Sequence, residues 1–358
     1  MNAQVQVLDA GLLDGRANIA LDQAMIDAHQ SGRIGDSLRF IHFRPTALVG
    51  RHQDLRAEID LDHCRANGIG VGRRITGGGA IFLDEGQLGW ALALSRDTLG
   101  ACSLGEVAAR ICNAAADGLS RLGVAARFRP RNDIEVDGRK ISGTGGFHDG
   151  NTLFYQGTVL VELDPARLLG ALRVPRAKLE RRQLDSAAQR VVCLRQLLGD
   201  ATPSIAAVED ALLAGFREGL GLDFVRRSLP EGLLADARRI EREWIGSDAF
   251  VAEIDGLTEA GGVTAGTHQG AGGRITAYLR REGIGGARIG QVLLTGDFFV
   301  APPRLVLDLE AHLRNTPLSD LRSNVAHFFS GRPISAISIT ADDFCAAIES
   351  AAGGSPSA

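Results

Sequence analysis

Apolar and polar positions along the chain follow two periods, and the switches between them mark the elements. Residues 18–29 put Ala20, Leu21, Met25 and Ala28 on one side and acids on the other, which predicts an early helix. Residues 38–43 and 46–50 read as strands joined around Arg44-Pro45, and 80–83 and 90–95 as two more, separated by Asp84-Glu85-Gly86. Leu104, Val107, Ile111, Ala115, Leu119 and Leu122 recur at helical spacing. Ser103 and Glu106 predict a capping box for that helix, and Gly123 its end. In Ile134-Glu135-Val136-Asp137-Gly138-Arg139-Lys140-Ile141, Asp-Gly between β-prone stretches predicts a hairpin with a type I′ turn, so Lys140 sits two residues into the returning strand.

A further strand over 154–163 ends at Asp164-Pro165. Residues 168–195 are Arg-rich and weakly patterned, read as helix and loop. Thr202-Pro203 opens a helix with Ile205, Val208, Leu212, Phe216 and Leu220 on one face, and another covers 233–244. The character changes after Gly246. A Gly-rich stretch over 261–273 precedes a hairpin (274–282 and 287–295) around Gly283-Ile284-Gly285-Gly286. Helices follow at 304–315, 318–329 and 341–351, the last capped by Thr340 with Asp343. The expected fold class is α+β. A domain over 1–247 carries a mixed sheet flanked by helices, and a small α/β unit of two strands and three helices covers 248–352. The tail, 353–358, is expected to be disordered.

A length of 358 residues with 45% hydrophobic content supports more than one core. No run of about 18 apolar residues spans a membrane. Residues 1–15 hold no Lys or Arg and no sustained apolar stretch, which argues against a secretory signal. A formal charge of −4 argues against a nucleic-acid binder working by bulk charge. Cys64, Cys102, Cys112, Cys193 and Cys345 are odd in number and form no CxxC, so neither a disulfide framework nor a zinc cluster is supported; reduced thiols in the cytoplasm are expected. Glycine is abundant, 45 residues, which implies close backbone approaches. Of 39 basic residues only Lys140 and Lys178 are lysine. Arginine cannot replace a compact ammonium on a slim stem, so a lysine surviving in this background is a candidate for specific chemistry.

Two segments carry chemistry. In Arg73-Arg74-Ile75-Thr76-Gly77-Gly78-Gly79-Ala80, three glycines let backbone N–H groups approach an anion, and two arginines suit phosphate or carboxylate. No Gly-Lys-Ser/Thr follows, so this is no Walker loop, and a tight turn with solvated arginines would look the same. In the second, Asn132-Asp133 precede the hairpin, and Lys140-Ile141-Ser142-Gly143-Thr144-Gly145-Gly146 leads into a flexible glycine loop. A lysine there can meet developing negative charge, and Asp133 could hold magnesium. A surface hairpin with a solvated lysine is the plainer reading. The basic run Arg173, Arg176, Lys178, Arg181, Arg182 and Arg190 fits either a mobile loop over a polyanion or a solvated helix face. His148 beside Asp149 reads as a solvated pair.

Together these segments resemble the lipoate–protein ligase family within the biotin/lipoate ligase group. The resemblance rests on Arg73 to Ala80 with Asp84 after it, Asn132-Asp133, Gly138 to Thr144, Gly157-Thr158-Val159-Leu160-Val161 and Asn18-Ile19-Ala20-Leu21-Asp22. It covers about residues 7–222, and Gly296-Asp297-Phe298-Phe299 looks like the accessory C-terminal domain of some members. It implies an ATP-dependent enzyme that joins lipoate or octanoate to AMP and passes the acyl group to a lysine of an acceptor domain. Acceptors in the family are the 2-oxoacid dehydrogenase E2 component, the glycine cleavage H protein or a sulfur-oxidation lipoate-binding protein; neither nucleic acid nor membrane is involved. Lys140 would neutralise carboxylate and α-phosphate. Arg74, Thr76, Gly77, Gly78, Gly79 and Ala80 would grip the same centre, Asn132 and Asp133 would place nucleotide and Mg²⁺, and Ser142, Gly143, Thr144 and Thr158 would line the adenylate. Some members close the small domain over the adenylate, which implies lid-like movement here.

The chain departs from the family at Leu83, where His is frequent, at Gln87 for Asn, at Gln156 for His and at Gly145 for Ala. Three rival readings remain. An octanoyltransferase of the same fold needs a thiolate near the lysine loop, and no cysteine lies between Asn113 and Gln183. A biotin ligase shares the adenylation logic but a different Gly-Arg motif. A non-catalytic acyl- or nucleotide-binding homologue is the third.

Overall fold

The computed structural model describes residues 3–100, 103–130, 132–173, 190–257, 262–302, 304–330, 335–336 and 338–354. In chain order it forms β1 (Ala3–Leu13), α1 (Gly15–Gln30), β2 (Ser37–Phe43), β3 (Thr46–Val49), β4 (Gly70–Arg73), β5 (Ile81–Leu83), β6 (Gln87–Ser95), α2 (Leu104–Ser120), β7 (Arg127–Arg129), β8 (Asp133–Val136), β9 (Arg139–Asp149) and β10 (Thr152–Leu160). Then come α3 (Ile205–Leu220), β11 (Leu222–Arg226), α4 (Glu231–Ile240), β12 (Thr264–Gly270), β13 (Gly273–Glu282), β14 (Arg288–Gly296), β15 (Val300–Ala301), α5 (Leu305–Leu313), α6 (Leu321–Phe329), β16 (Ser335–Ala336) and α7 (Ala341–Ala352). Short helical turns fill Leu55–Glu58, Leu61–Ala66, Pro165–Ala171 and Leu194–Leu198.

The main sheet runs β11-β1-β2-β6-β10-β9-β8-β7. β1 pairs in parallel with β11 and β2, while the pairs from β2 onward are antiparallel, so the sheet is mixed as expected. Its central strand shows why both faces are covered. On β6, Leu88, Trp90, Leu92 and Leu94 bury against α2 and α3, whereas Ala91 and Ala93 face α1 and α4. Large residues fill the wider layer and small ones admit a helix close to the strands. α2 and α3 cross equally closely: a side chain on Gly215 would put its Cβ 2.2 Å from the Ala114 carbonyl oxygen. A three-stranded sheet β4-β3-β5 packs beside this body and carries the triple-glycine turn between β4 and β5.

The C-terminal unit sets the sheet β12-β13-β14 and the ribbon β15-β16 against α5, α6 and α7, around Phe298, Phe328 and Phe344. The expected hairpin and three helices are present. The Gly-rich stretch differs from expectation, because residues 264–270 pair with β13 as an edge strand. Phe250 and Val251 lie beyond residue 247 but bury in the cores of the preceding domain. β1, β4, β7 and β11 carried too little pattern to be read. α2 ends at Ser120, three residues before Gly123. The acids of α1 do not all face water: Asp22 is fully buried against Arg39. Arg176, Lys178, Arg181 and Arg182 lie outside the described residues, as does most of the expected tail. No helix among the described residues is long and apolar enough to cross a membrane.

Candidate active site

A cavity of about 490 Å³ opens between the triple-glycine turn, β9 and β10. Arg74, Thr76, Gly77, Gly78, Gly79, Ala80, Asn132, Asp133, Lys140, Gly143, Thr144 and Thr158 all line it. Ile19, Ile41, Phe43, Leu48 and Leu83 make one end apolar.

The Asp137-Gly138 turn adopts positive φ at both residues, 50° and 74°, as a type I′ turn requires. Beyond it, β9 contains a bulge. Glu135 pairs with Lys140 and Ile134 with Ser142, which leaves Ile141 as the extra residue. The bulge reverses the simple alternation, so Lys140 and Gly143, three apart, share the cavity wall. A Cβ on Gly143 would sit 2.7 Å from the lysine Cε and Nζ; glycine is there because the ammonium folds back over it. Lys140 Nζ lies 2.6 Å from Asp133 Oδ1. The strand that follows is regular through Gly146, not the flexible loop the glycines predicted. Ser142 is fully buried on the opposite face and does not line the cavity, because the bulge turns it inward.

The two arginines divide their work. Arg73 donates to the carbonyls of Gly50, Arg51, Gln53, Phe250, Val251 and Ile254, so it is a strut and not a ligand group. Arg74 holds its own turn closed, donating to Gly79 O at 2.7 Å, Leu48 O at 3.2 Å and Gly77 O at 3.3 Å. Burial pushes both guanidinium groups down to about 10. Among the described residues no carboxylate pairs with Arg74, so the cavity wall holds a buried cation without a counter-ion. The wall therefore favours an anion near Arg74 and Lys140.

Behind the wall, Thr144 Oγ1 donates to Asn132 O at 2.9 Å, Asn132 Nδ2 donates to Thr144 O, and Tyr155 OH lies 2.7 Å from Thr144 Oγ1. Cys112 Sγ is 3.2 Å from the same hydroxyl. The thiol distant in sequence is thus close in space, a proximity that chain position could not reveal. Burial raises its pKa, which keeps it a thiol. The other described cysteines, Cys64, Cys193 and Cys345, are buried and free. His148 is buried away from the cavity lining, and burial lowers its pKa.

The family described as lipoyl protein ligase A/B catalytic domain matches residues 14–217, from the start of α1 into the last turn of α3. The chain belongs to this family. Among relatives of the lipoyl-ligase domain, the octanoyltransferase LipM of Symbiobacterium thermophilum is 28% identical over 271 residues, which covers 69% of this chain and 98% of LipM. Two solved structures are each 26% identical and cover 71% of the chain. One is a bipartite lipoate protein ligase of Thermoplasma acidophilum, studied with its E2 lipoyl domain (TM-score 0.64, 98% of that chain). The other is a lipoate-protein ligase A bound with ATP (TM-score 0.62, 100% of that chain).

The departures fall in different places in the lipoyl-ligase domain. Leu83 and Gln156 line the cavity, and Gln156 Nε2 donates to Thr76 Oγ1 at 2.8 Å, tying β10 to the glycine turn. Gln87 faces away, accepting from Asp84 N and donating to Glu162 O. Sequence reasoning missed Asp22, Gly272, Asp297 and Phe299 as lining residues. The Gly-Asp-Phe-Phe sequence was the available signal for the last two.

Proposed function

We propose that this member of the family is an ATP-dependent lipoate–protein ligase. It adenylates lipoate or octanoate and transfers the acyl group to a lysine of an acceptor domain, with residues 248–352 as its accessory unit. The observation that carries the reading is the pairing, in one cavity, of an apolar slot with the Lys140 ammonium and the unpaired Arg74 cation. The slot accepts the aliphatic tail, which directs the carboxylate toward the cations. A carboxylate and a triphosphate repel, and the two cations offset that repulsion where they meet. A carboxylate oxygen then attacks the α-phosphorus, the new O–P bond forms, and the bond to pyrophosphate breaks. Pyrophosphate leaves with the electron pair. In the second step the neutral amine of the acceptor lysine attacks the acyl carbon, the C–N bond forms, the acyl C–O bond breaks with its electron pair leaving on AMP, and the surplus amine proton passes to water.

Magnesium fits one place. No cluster of three acidic, His or Cys ligands gathers among the described residues. Asp133 beside Lys140 supplies one carboxylate, which suits an ion held mainly by phosphate oxygens. The ATP-bound relative supports nucleotide use, and the relative studied with an E2 lipoyl domain supports a lipoyl-type acceptor.

The similarity to LipM favours a second reading, acyl transfer from a carrier through a cysteine thioester. Cys112 is the described thiol nearest Thr144, but it sits behind the wall and burial opposes its thiolate. Lipoate- and octanoate-dependent ATP–pyrophosphate exchange separates the two. The ligase reading expects exchange, lowered about 10²–10³-fold in Lys140→Ala while Cys112→Ser retains it. Absence of exchange, with octanoyl transfer from a carrier that Cys112→Ser abolishes, overturns it.

A further inference from the structure

Tyr155 on β10 is fully buried, yet its hydroxyl sits behind the wall that carries Lys140. Its ring crosses Gly146 on the neighbouring strand, where a Cβ would lie 2.7 Å from Tyr155 Cδ2. Gly146 and Thr144 are two residues apart on β9 and share a face, so a ring laid over the glycine brings its hydroxyl to the threonine. One proton per hydroxyl fixes the direction of the contacts. Thr144 Oγ1 donates its proton to Asn132 O at 2.9 Å. The Tyr155 hydroxyl, 2.7 Å from Thr144 Oγ1, must therefore donate to it. Burial raises the Tyr155 pKa well above its ordinary 10, so that proton stays in place. Cys112 Sγ lies 3.2 Å from Thr144 Oγ1 and 3.5 Å from Tyr155 OH. With both hydroxyl protons committed, its thiol is the donor there.

This chain of donors ends on the step that carries the polar end of the cavity. Asn132 stands one residue before β8 and is tied to β9 through Thr144. Its carbonyl accepts both the Thr144 N–H and the Thr144 hydroxyl, each at 2.9 Å, and its amide donates to the Thr144 carbonyl. The next residue, Asp133, pairs with Gly143 and holds Lys140 Nζ at 2.6 Å. Asn132, Asp133 and Lys140 all line the cavity, whereas Tyr155 does not. A tyrosine that only filled space would serve as well without its hydroxyl, which is costly to bury unless it makes a hydrogen bond. Taking the adenylation reading above as its basis, we propose that Tyr155 is a positioning residue for the nucleotide: its hydroxyl orients that of Thr144, which locks Asn132 and Asp133 where they meet the phosphates. The same geometry makes Cys112 a donor to this network and not a carrier of the acyl group.

The test uses the full chain and measures two dissociation constants by calorimetry, for α,β-methylene-ATP, which cannot be adenylated onto an acid, and for octanoate. The proteins are the wild type, Tyr155→Phe, Thr144→Val, Thr144→Ser and the double variant Tyr155→Phe with Thr144→Val. Loss of one hydrogen bond is expected to weaken the nucleotide analogue about five- to tenfold in Tyr155→Phe and in Thr144→Val. Because both act through one hydroxyl, the double variant is expected to bind it no more weakly than Thr144→Val alone. Thr144→Ser, which keeps that hydroxyl, is expected to recover most of the loss. Octanoate, held by the apolar slot, is expected to change less than about twofold throughout. Wild-type nucleotide affinity in Tyr155→Phe, losses that multiply in the double variant, or octanoate weakened as much as the nucleotide each overturn the proposal and leave the adenylation reading intact. Where Tyr155→Phe fails to fold, the Thr144 pair decides: equal nucleotide affinity in Thr144→Val and Thr144→Ser overturns it. A wild type that binds no nucleotide analogue and shows no pyrophosphate exchange sinks the adenylation reading and this proposal with it.

Discussion

The Lys140 ammonium is placed by its neighbours. It lies over Gly143 because no side chain stands there, and Asp133 holds it at 2.6 Å. An alanine at Gly143 meets only the far end of a flexible side chain, which can move aside. Gly143→Ala is expected to change stability by less than about 1 kcal/mol, yet displace the ammonium and lower pyrophosphate exchange tenfold or more. Denaturant melts beside exchange rates check this; unchanged exchange in a folded Gly143→Ala would show that the lysine position tolerates the shift. At this scale much of the lining of the candidate site was legible. Lysine scarcity singled out Lys140, and the glycine triplet announced a close backbone approach. Ser142 was placed at the adenylate by the resemblance alone, and a bulge of one residue, invisible in composition, turns it to the opposite face. Arg73 was misjudged because its charge is satisfied by six carbonyls from segments up to 181 residues away.

Between elements, α1 is fastened to β2 by a buried ion pair. Asp22 Oδ1 accepts from Arg39 at 2.6 Å, and Arg39 donates further to Asn18 Oδ1 and Asn18 O, each at 3.0 Å. Burial raises the Asp22 pKa and the arginine partly offsets this. Removing one partner strands the other charge without water. Asp22→Ala is expected to cost about 3–5 kcal/mol, measured as a fall in urea midpoint, whereas replacing both residues with apolar ones of similar volume costs much less. A loss below about 1 kcal/mol for the single variant would show that water reaches Arg39. Strong helices and the Asp-Gly hairpin were readable because their signals are local. Edge strands such as β4 and β11 were not, since only their neighbours make them strands.

Across the whole molecule, the C-terminal unit and the lipoyl-ligase domain also meet at Glu310 on α5. Burial raises its carboxyl to about 7; the nearby Glu253 adds to the shift, while the Leu294 N–H and Arg51 oppose it. A carboxyl raised from its ordinary 4.5 stabilises the folded chain while protonated, and that contribution is lost as pH climbs through 7. Glu310→Gln keeps the acceptor for Leu294 N without the charge. Its melting temperature is expected to match the wild type near pH 4, below the ordinary carboxyl value, and exceed it by roughly 2–5 °C at pH 8. A difference independent of pH would place the titration elsewhere.

The sequence alone determined the mixed sheet with its helices and the family, because periodicity, turn chemistry and motif order act over a few residues. The tertiary structure decided that Lys140 shares a wall with Gly143, that Arg74 stays unpaired while Arg73 becomes a strut, that Cys112 stands behind Thr144, and that Tyr155 reaches Thr144 across Gly146. Each depends on which distant backbone comes close enough to exclude water or to fill the space a missing Cβ leaves. No local pattern encodes those distances.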